Sequence, residues 1–262
     1  MPIDDGLIGG IHVELLARAE AAADVPHDQE AFQASTLDAL LRGELTGDLT
    51  IGELLQHGDL GLGTLNLLDG ELIVVDGEAL VARTDGSVER VPDDARTPFA
   101  VVCPFTAERE GPLSNAAGFD AVTAAVDALA PPNATCIAVR IDARIARAHL
   151  RSVPKQTQPA PTLADAVAAQ VEFELGETDA TIVGFRFPRD IAGLELPGWH
   201  LHLVTADRTA GGHLLDVSVL EGQIAIERET ELTVQVPAGV DIGRVGADAA
   251  RDQALDEMER GR

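Results

Sequence analysis

Asp69-Gly70-Glu71-Leu72-Ile73-Val74-Val75-Asp76-Gly77 is an apolar run of strand length with an Asp-Gly step at each end. Asp-Gly favours the positive backbone angles of a two-residue hairpin turn, so a run bracketed in this way reads as the middle strand of a meander. The flanks agree. Gly61-Leu62-Gly63-Thr64-Leu65 lies before it, and Ala79-Leu80-Val81-Ala82-Arg83 with Asp85-Gly86 lies after it. This region is therefore expected to be antiparallel sheet, which decides how Gly61 and Gly63 are read. A phosphate-cradling glycine loop follows a strand and opens a helix. These glycines follow a predicted helix and open a strand, with Asn66 in the place of the last glycine, so a nucleotide loop is rejected.

Outward from the meander, Thr50 caps a short helix over Ile51 to Gln56, with Glu53 three positions on as in a capping box. Ser35 or Thr36 caps another through Leu41. A strand at Phe99 to Cys103 follows, and Phe119 to Leu129 has helical spacing that stops before Pro131-Pro132. Cys136 to Ile141 returns to strand, and the proline-rich stretch from Arg151 to Pro161 reads as a linker. Beyond it come a helix from Leu163 to Ala169 and strands at Val171 to Leu175, Thr181 to Phe187, His200 to Val204, His213 to Leu220 and Gln223 to Arg228. The acidic ends are expected to hold a short helix at Val13 to Ala22 and a helix or loose tail at Ala247 to Arg260. The expected fold is mixed α/β (α+β), with two β-rich subdomains of mixed or antiparallel sheet. Residues 1 to 31 form a peripheral segment, 32 to 155 an N-terminal mixed-sheet subdomain, and 156 to 262 a C-terminal β-rich subdomain.

The chain has 262 residues, 45% of them hydrophobic, which suffices for a buried core. Acidic residues number 44 against 19 basic ones, Lys155 being the single lysine, for a formal net charge of -25. Binding nucleic acid needs clustered Lys and Arg to displace counterions, so nucleic acid is excluded as a partner. The longest apolar runs are strand length, far short of the roughly 20 residues of a membrane helix. The start, Met1-Pro2-Ile3-Asp4-Asp5, has neither the basic nor the apolar region of a secretory signal. The expectation is a cytoplasmic protein with no membrane partner. Cys103 and Cys136 have neither disulfide density nor the spacing of a thiolate metal motif, and read as small buried residues.

Three of the seven histidines fall in one predicted hairpin, from Pro197-Gly198-Trp199-His200-Leu201-His202 to Gly211-Gly212-His213. A strand alternates its side chains, so His200 and His202 share a face about 6.6 Å apart. A turn centred on Asp207 and Arg208 places His213 opposite His202. Three neutral imidazoles with an open fourth position are the ligand set of a catalytic zinc, and the same nitrogens suit manganese, iron, cobalt or nickel. A histidine on an apolar strand is also commonly a hydrogen-bonded core residue, so spacing alone leaves both readings open. The nearest generic pattern is the cupin motif, with a glutamate shortly after HxH and a distant last histidine. Here Thr205, Ala206 and Asp207 occupy the place of that glutamate, and His213 comes too soon.

The chain resembles the alpha-acetolactate decarboxylases. The resemblance is carried, in order, by Leu37-Asp38-Ala39-Leu40-Leu41, Thr50-Ile51-Gly52-Glu53-Leu54-Leu55, Gly58-Asp59-Leu60-Gly61-Leu62-Gly63-Thr64 and Leu68-Asp69-Gly70-Glu71-Leu72. It continues through Thr97-Pro98-Phe99-Ala100-Val101-Val102, Arg151-Ser152-Val153-Pro154-Lys155-Gln156 and the histidine hairpin, spanning about residues 32 to 230. It implies a zinc enzyme that converts (S)-2-acetolactate into (R)-acetoin and carbon dioxide in acetoin and 2,3-butanediol biosynthesis. His200, His202 and His213 match the zinc ligands, Glu71 and Arg151 match catalytic residues, and Thr64 and Arg151 match substrate contacts. A family glutamate near the C-terminus corresponds best to Glu259, with Asp256 and Glu257 close by. The chain departs from the family where Leu60 and Leu65 stand for phenylalanines, which implies volume changes in an apolar lining.

The implied chemistry is consistent with these residue types. Loss of the carboxylate next to a ketone leaves an electron pair that a Lewis acid stabilises as it delocalises onto oxygen. Arg151 offers a planar, permanently charged fork for the departing carboxylate. Glu71 or Glu259, with a raised pKa, would protonate one face of the resulting enediolate. Without the resemblance Glu71 reads as a solvent-facing charge at a strand start, Arg151 as a surface arginine and Thr64 as an ordinary strand threonine. Two alternatives remain at this level: a cupin-like metal lyase or oxygenase on another small hydroxy or keto acid, and a non-catalytic metal- or ligand-binding domain. The sequence leaves assembly open, a homodimer being the form considered.

Overall fold

The computed structural model describes residues 9–14, 29–132, 134–158 and 163–236. Two sheets and four short helices make up this part, so the fold is mixed α+β as expected. With elements numbered along the chain, the first sheet contains β1 (Gly9–Glu14), β2 (Glu30–Ala34), β3 (Leu60–Thr64), β4 (Glu71–Val75), β5 (Glu78–Ala82), β6 (Val88–Arg90), β7 (Phe99–Cys103) and β14 (Glu231–Val236). Its order is β1-β14-β2-β7-β3-β4-β5-β6, antiparallel except for the β14/β2 pair. The second sheet contains β8 (Arg109–Ala117), β9 (Cys136–Ser152), β10 (Val171–Leu175), β11 (Thr178–Phe187), β12 (Gly198–Thr205) and β13 (Gly211–Glu229), in the order β10-β9-β11-β12-β13-β8. An added β9/β13 pairing closes β9, β11, β12 and β13 into a ring.

The meander forms as the Asp-Gly steps predict, β3, β4 and β5 pairing in sequence. The caps also form: Thr36 closes α1 (Leu37–Leu41), and Thr50 with Glu53 makes a reciprocal capping box on α2 (Ile51–Leu54). Gly61 and Gly63 are strand glycines. A Cβ on them would sit 2.2 Å from the Val101 carbonyl oxygen and 2.4 Å from that of Phe99, so their absent side chains let β3 lie close against β7.

Alternation along each strand decides where the site sits. Ile73 and Val75 of β4, with Leu60 and Leu62 of β3, share one core with Val183, Phe185 and Val204 of the second sheet. Leu72, Val74 and Val81 turn the other way and pack on α2. In the second sheet, Leu201 and Leu203 point away from the first sheet, into a core with Val122 and Val126 of α3 (Phe119–Leu129). Glu71, in step with Ile73 and Val75, therefore faces between the sheets, as do His200 and His202, in step with Val204.

Several expected boundaries change. Sheet membership crosses the division drawn between residues 155 and 156, because β8 and β9 belong to the second sheet and β14 returns to the first. The linker starts later than expected: Arg151 and Ser152 end β9 and pair with β10, because the prolines that forbid pairing begin only at Pro154. The two strands expected at 213–220 and 223–228 are one strand, β13, bent by register shifts at Leu214/Asp216, Ser218/Val219 and Val219/Glu221. A bulge adds a residue and twist without ending the ladder, which periodicity alone reads as a break. β8 escapes the pattern because it is a polar edge strand containing Pro112. Val13 and Glu14 are strand rather than helix, and the rest of that expected helix, like the one at Ala247 to Arg260, lies outside the described residues. Among the described residues no helix is long and apolar enough to cross a membrane.

Candidate active site

The β12/β13 hairpin turns where the sequence places it, with Val204 opposite Gly211 and His202 opposite His213. Asp207 organises the turn: its carboxylate accepts from Thr205 Oγ1 at 2.7 Å, Thr209 Oγ1 at 2.8 Å and Thr209 N–H at 3.1 Å. The Thr205 bond, then those from Thr209, hold that carboxyl below its usual range. Past the turn, Gly211 and Gly212 let β13 come close to both neighbours. A Cβ on Gly211 would lie 2.6 Å from the Leu203 carbonyl oxygen, and one on Gly212 would lie 2.8 Å from that of Arg151. His213 thereby pairs with His202 on one side and Arg151 on the other.

The three imidazoles converge. Ring centroids are 5.1 Å apart for His200 and His202, 5.1 Å for His200 and His213, and 5.3 Å for His202 and His213. One nitrogen from each lies within 4.8 Å of the others. His202 Nδ1 stands 2.8 Å from the Leu72 carbonyl oxygen of β4. A carbonyl only accepts, so Nδ1 carries the proton and Nε2 keeps a lone pair for the cluster. A neutral imidazole oriented by a backbone carbonyl is what a bound divalent cation requires, so the donor set fits a metal.

The first sheet completes the site. Thr64 and Glu71 are cross-strand partners on β3 and β4. Thr64 Oγ1 donates to the Gly70 carbonyl at 2.8 Å, which fixes its rotamer at the turn before Glu71. The Glu71 carboxylate lies between two groups of the other sheet, 3.8 Å from Arg151 Nη1 and 3.7 Å from His202 Nε2. Glu71 and Arg151 are 8% and 5% exposed, so neither is the surface charge its local sequence suggests. The reason is tertiary: a second sheet covers the face to which alternation assigns them. The structure thus brings His200, His202, His213, Glu71, Arg151 and Thr64 together. Glu259 lies outside the described residues.

Thr64, Glu71, Arg151, His200 and His213 border a cleft of about 70 Å³. Its apolar wall includes Leu37 and Leu40 of α1, Phe99 of β7, Leu163 and Val167 of α4 (Leu163–Val167), and Leu196. No sequence motif marks this wall. The only local signal was the four-residue spacing of Leu163 and Val167, which marks a buried helix face without saying what it faces. Leu60 and Leu65, expected in the lining, do not border the cleft; Leu60 packs between the sheets and Leu65 behind the first sheet.

An imidazole triad beside a buried carboxylate and guanidinium, at the end of an apolar cleft, is an arrangement suited to an enzyme acting on a small anionic molecule. The alpha-acetolactate decarboxylase family profile matches residues 31–243. Alpha-acetolactate decarboxylase of Methylococcus capsulatus is 37% identical over 99% of this chain and all of its own length. That of Methanosarcina mazei is 35% identical over 87% of this chain and 80% of its own. The crystal structure of alpha-acetolactate decarboxylase from Bacillus subtilis strain 168 superposes with a TM-score of 0.82 at 29% identity, covering 89% of this chain and 100% of that one. This chain belongs to the alpha-acetolactate decarboxylase family, and it is an enzyme, a carboxy-lyase.

Proposed function

We propose that the protein decarboxylates (S)-2-acetolactate to (R)-acetoin with zinc held by His200, His202 and His213. The observation that carries this reading is the Glu71 carboxylate, buried between the Arg151 guanidinium and the His202 imidazole where the two sheets meet. Zinc, when bound, supplies Lewis acidity toward the substrate oxygen on which negative charge develops. Arg151 binds the substrate carboxylate and orients its carbon–carbon bond for cleavage. Carbon dioxide leaves without the bonding pair, which delocalises into the neighbouring carbonyl as an enediolate. The net reaction consumes one proton from solvent: Glu71 takes it up and delivers it to one face of that enediolate, which sets the hand of the product. Thr64, its own proton engaged by Gly70, accepts from the substrate hydroxyl. Glu259 is the remaining candidate for the proton donor. The apolar wall of the cleft suits the methyl groups of the substrate.

A metal-storage or sensor domain needs neither a buried Glu71 nor a buried Arg151. The place of work is the cytoplasm, in keeping with Cys103 and Cys136 as free, buried thiols. The test is turnover of racemic acetolactate by the zinc-loaded protein, with chiral chromatography of the acetoin. We expect carbon dioxide and (R)-acetoin, loss of activity on chelation, and recovery on adding zinc. A fully zinc-loaded protein that leaves acetolactate unchanged overturns the proposal.

A further inference from the structure

Among the described residues a second group of donors is close enough to share one cation: Cys103, Glu227 and Glu229, with one ligand atom from each within 4.8 Å of the others. All three are buried, at 0%, 5% and 1% exposure. Cys103 is the last residue of β7 in the first sheet, whereas Glu227 and Glu229 alternate onto one face at the end of β13 in the second. The group is separate from the histidine cluster. At about 3.3 Å per residue, His213 and Glu227 are separated by about 45 Å of strand path.

The arrangement is that of a held site with one unsatisfied member. Glu227 is positioned by the Thr106 N–H, which donates to its Oε2 at 2.7 Å. Among the described residues no N–H or O–H group donates to either carboxylate oxygen of Glu229, which only the Cys103 thiol approaches, although the side chain is almost wholly buried. An unsatisfied buried carboxylate is costly, and a like-charged carboxylate beside it raises that cost. The neighbouring Cys103 thiol is a weak donor and does not offset it. Cys136, directly opposite Glu229 in the β9/β13 ladder, places another sulfur at the same end of the strand.

We propose that Cys103, Glu227 and Glu229 bind a divalent cation of borderline softness, the zinc and cobalt class, which ties the first sheet to the second away from the catalytic cleft. One sulfur and two carboxylate oxygens are within the ligand range of such ions, whereas magnesium and calcium take oxygen alone. Binding releases to solvent the Cys103 thiol proton and the proton that burial, pushing the carboxyl up to about 8, holds on Glu229, which leaves three anionic ligands around a dication. No local sequence motif marks the site, because its ligands come from strands over a hundred residues apart.

The test is titration of the metal-stripped full-length protein with cobalt(II), followed by absorbance. We expect two equivalents, one of which produces a thiolate-to-cobalt charge-transfer band in the near ultraviolet. Cys103→Ser should lose that band and that equivalent while keeping the other equivalent and the decarboxylase activity. Glu229→Gln, which keeps the shape and removes the charge, should weaken the band-forming equivalent at least about tenfold, or ~1.4 kcal/mol. A single equivalent with no thiolate band overturns the proposal, and so does a band that persists in Cys103→Ser. Either result leaves two carboxyl groups held by protons alone, and neither bears on the histidine site.

Discussion

At the scale of the residue, the same local sequence supports opposite environments, and contact across the sheets chooses between them. Glu71 follows Asp-Gly at a strand start, where a solvated carboxylate is ordinary, yet it is buried against Arg151 and His202. Glu71→Gln removes the transferable proton and keeps the volume. It is expected to retain zinc at the wild-type ratio while kcat falls at least about a hundredfold, the usual reach of a general acid. Metal analysis beside steady-state kinetics checks this, and a wild-type kcat would remove Glu71 from the chemistry. Arg151→Lys keeps the charge but loses the fork. With charge-assisted hydrogen bonds at about 1.5–3 kcal/mol, kcat/KM should fall about tenfold to a hundredfold. His200, His202 and His213 were legible from spacing, because alternation and a centred turn fix cross-strand neighbours. The burial of Glu71 and Arg151 was not, because nothing within β4 or at the end of β9 says which face a distant strand covers.

At the scale of the element, the hairpin and the caps follow from sequence, whereas strand length and strand bending do not. Thr36, Thr50 and Glu53 fix their helices through bonds within three residues, and Asp207 fixes the hairpin turn in the same way. β9 and β13 run to 17 and 19 residues because each is paired along its length by strands far away in the chain. Gly212 is where these long strands press closest to the site. Gly212→Ala puts a methyl 2.8 Å from the Arg151 carbonyl oxygen and 3.2 Å from the Phe173 ring. That overpacking is expected to cost about 1–3 kcal/mol and to weaken zinc binding through displacement of His213. Urea unfolding and zinc titration measure both effects. Gly176→Ala, where an added Cβ meets nothing within 4 Å, is the control and should stay within about 0.5 kcal/mol.

At the scale of the whole molecule, the site exists only where the sheets are pressed together. The first supplies Thr64, Glu71 and the Leu72 carbonyl, and the second supplies Arg151 and the histidines. The core shared by Leu62, Ile73, Val183, Phe185 and Val204 holds that contact. Phe185→Ala should therefore cost about 3–5 kcal/mol, seen as a lower urea midpoint, and should reduce kcat although Phe185 does not border the cleft. A large stability loss with unchanged kcat would show that the sheets keep their alignment without this core. The sequence by itself determined the meander, the caps, the helix α3, the histidine hairpin and the family, because those depend on turns, alternation and motifs held within short stretches. Only the tertiary structure decided which sheet each strand joins, which charges are buried and which apolar residues wall the cleft. Those outcomes depend on pairing between segments far apart in the chain, such as β14 beside β1 and β2. Local periodicity specifies that a strand has a face to bury, not the partner against which it is buried.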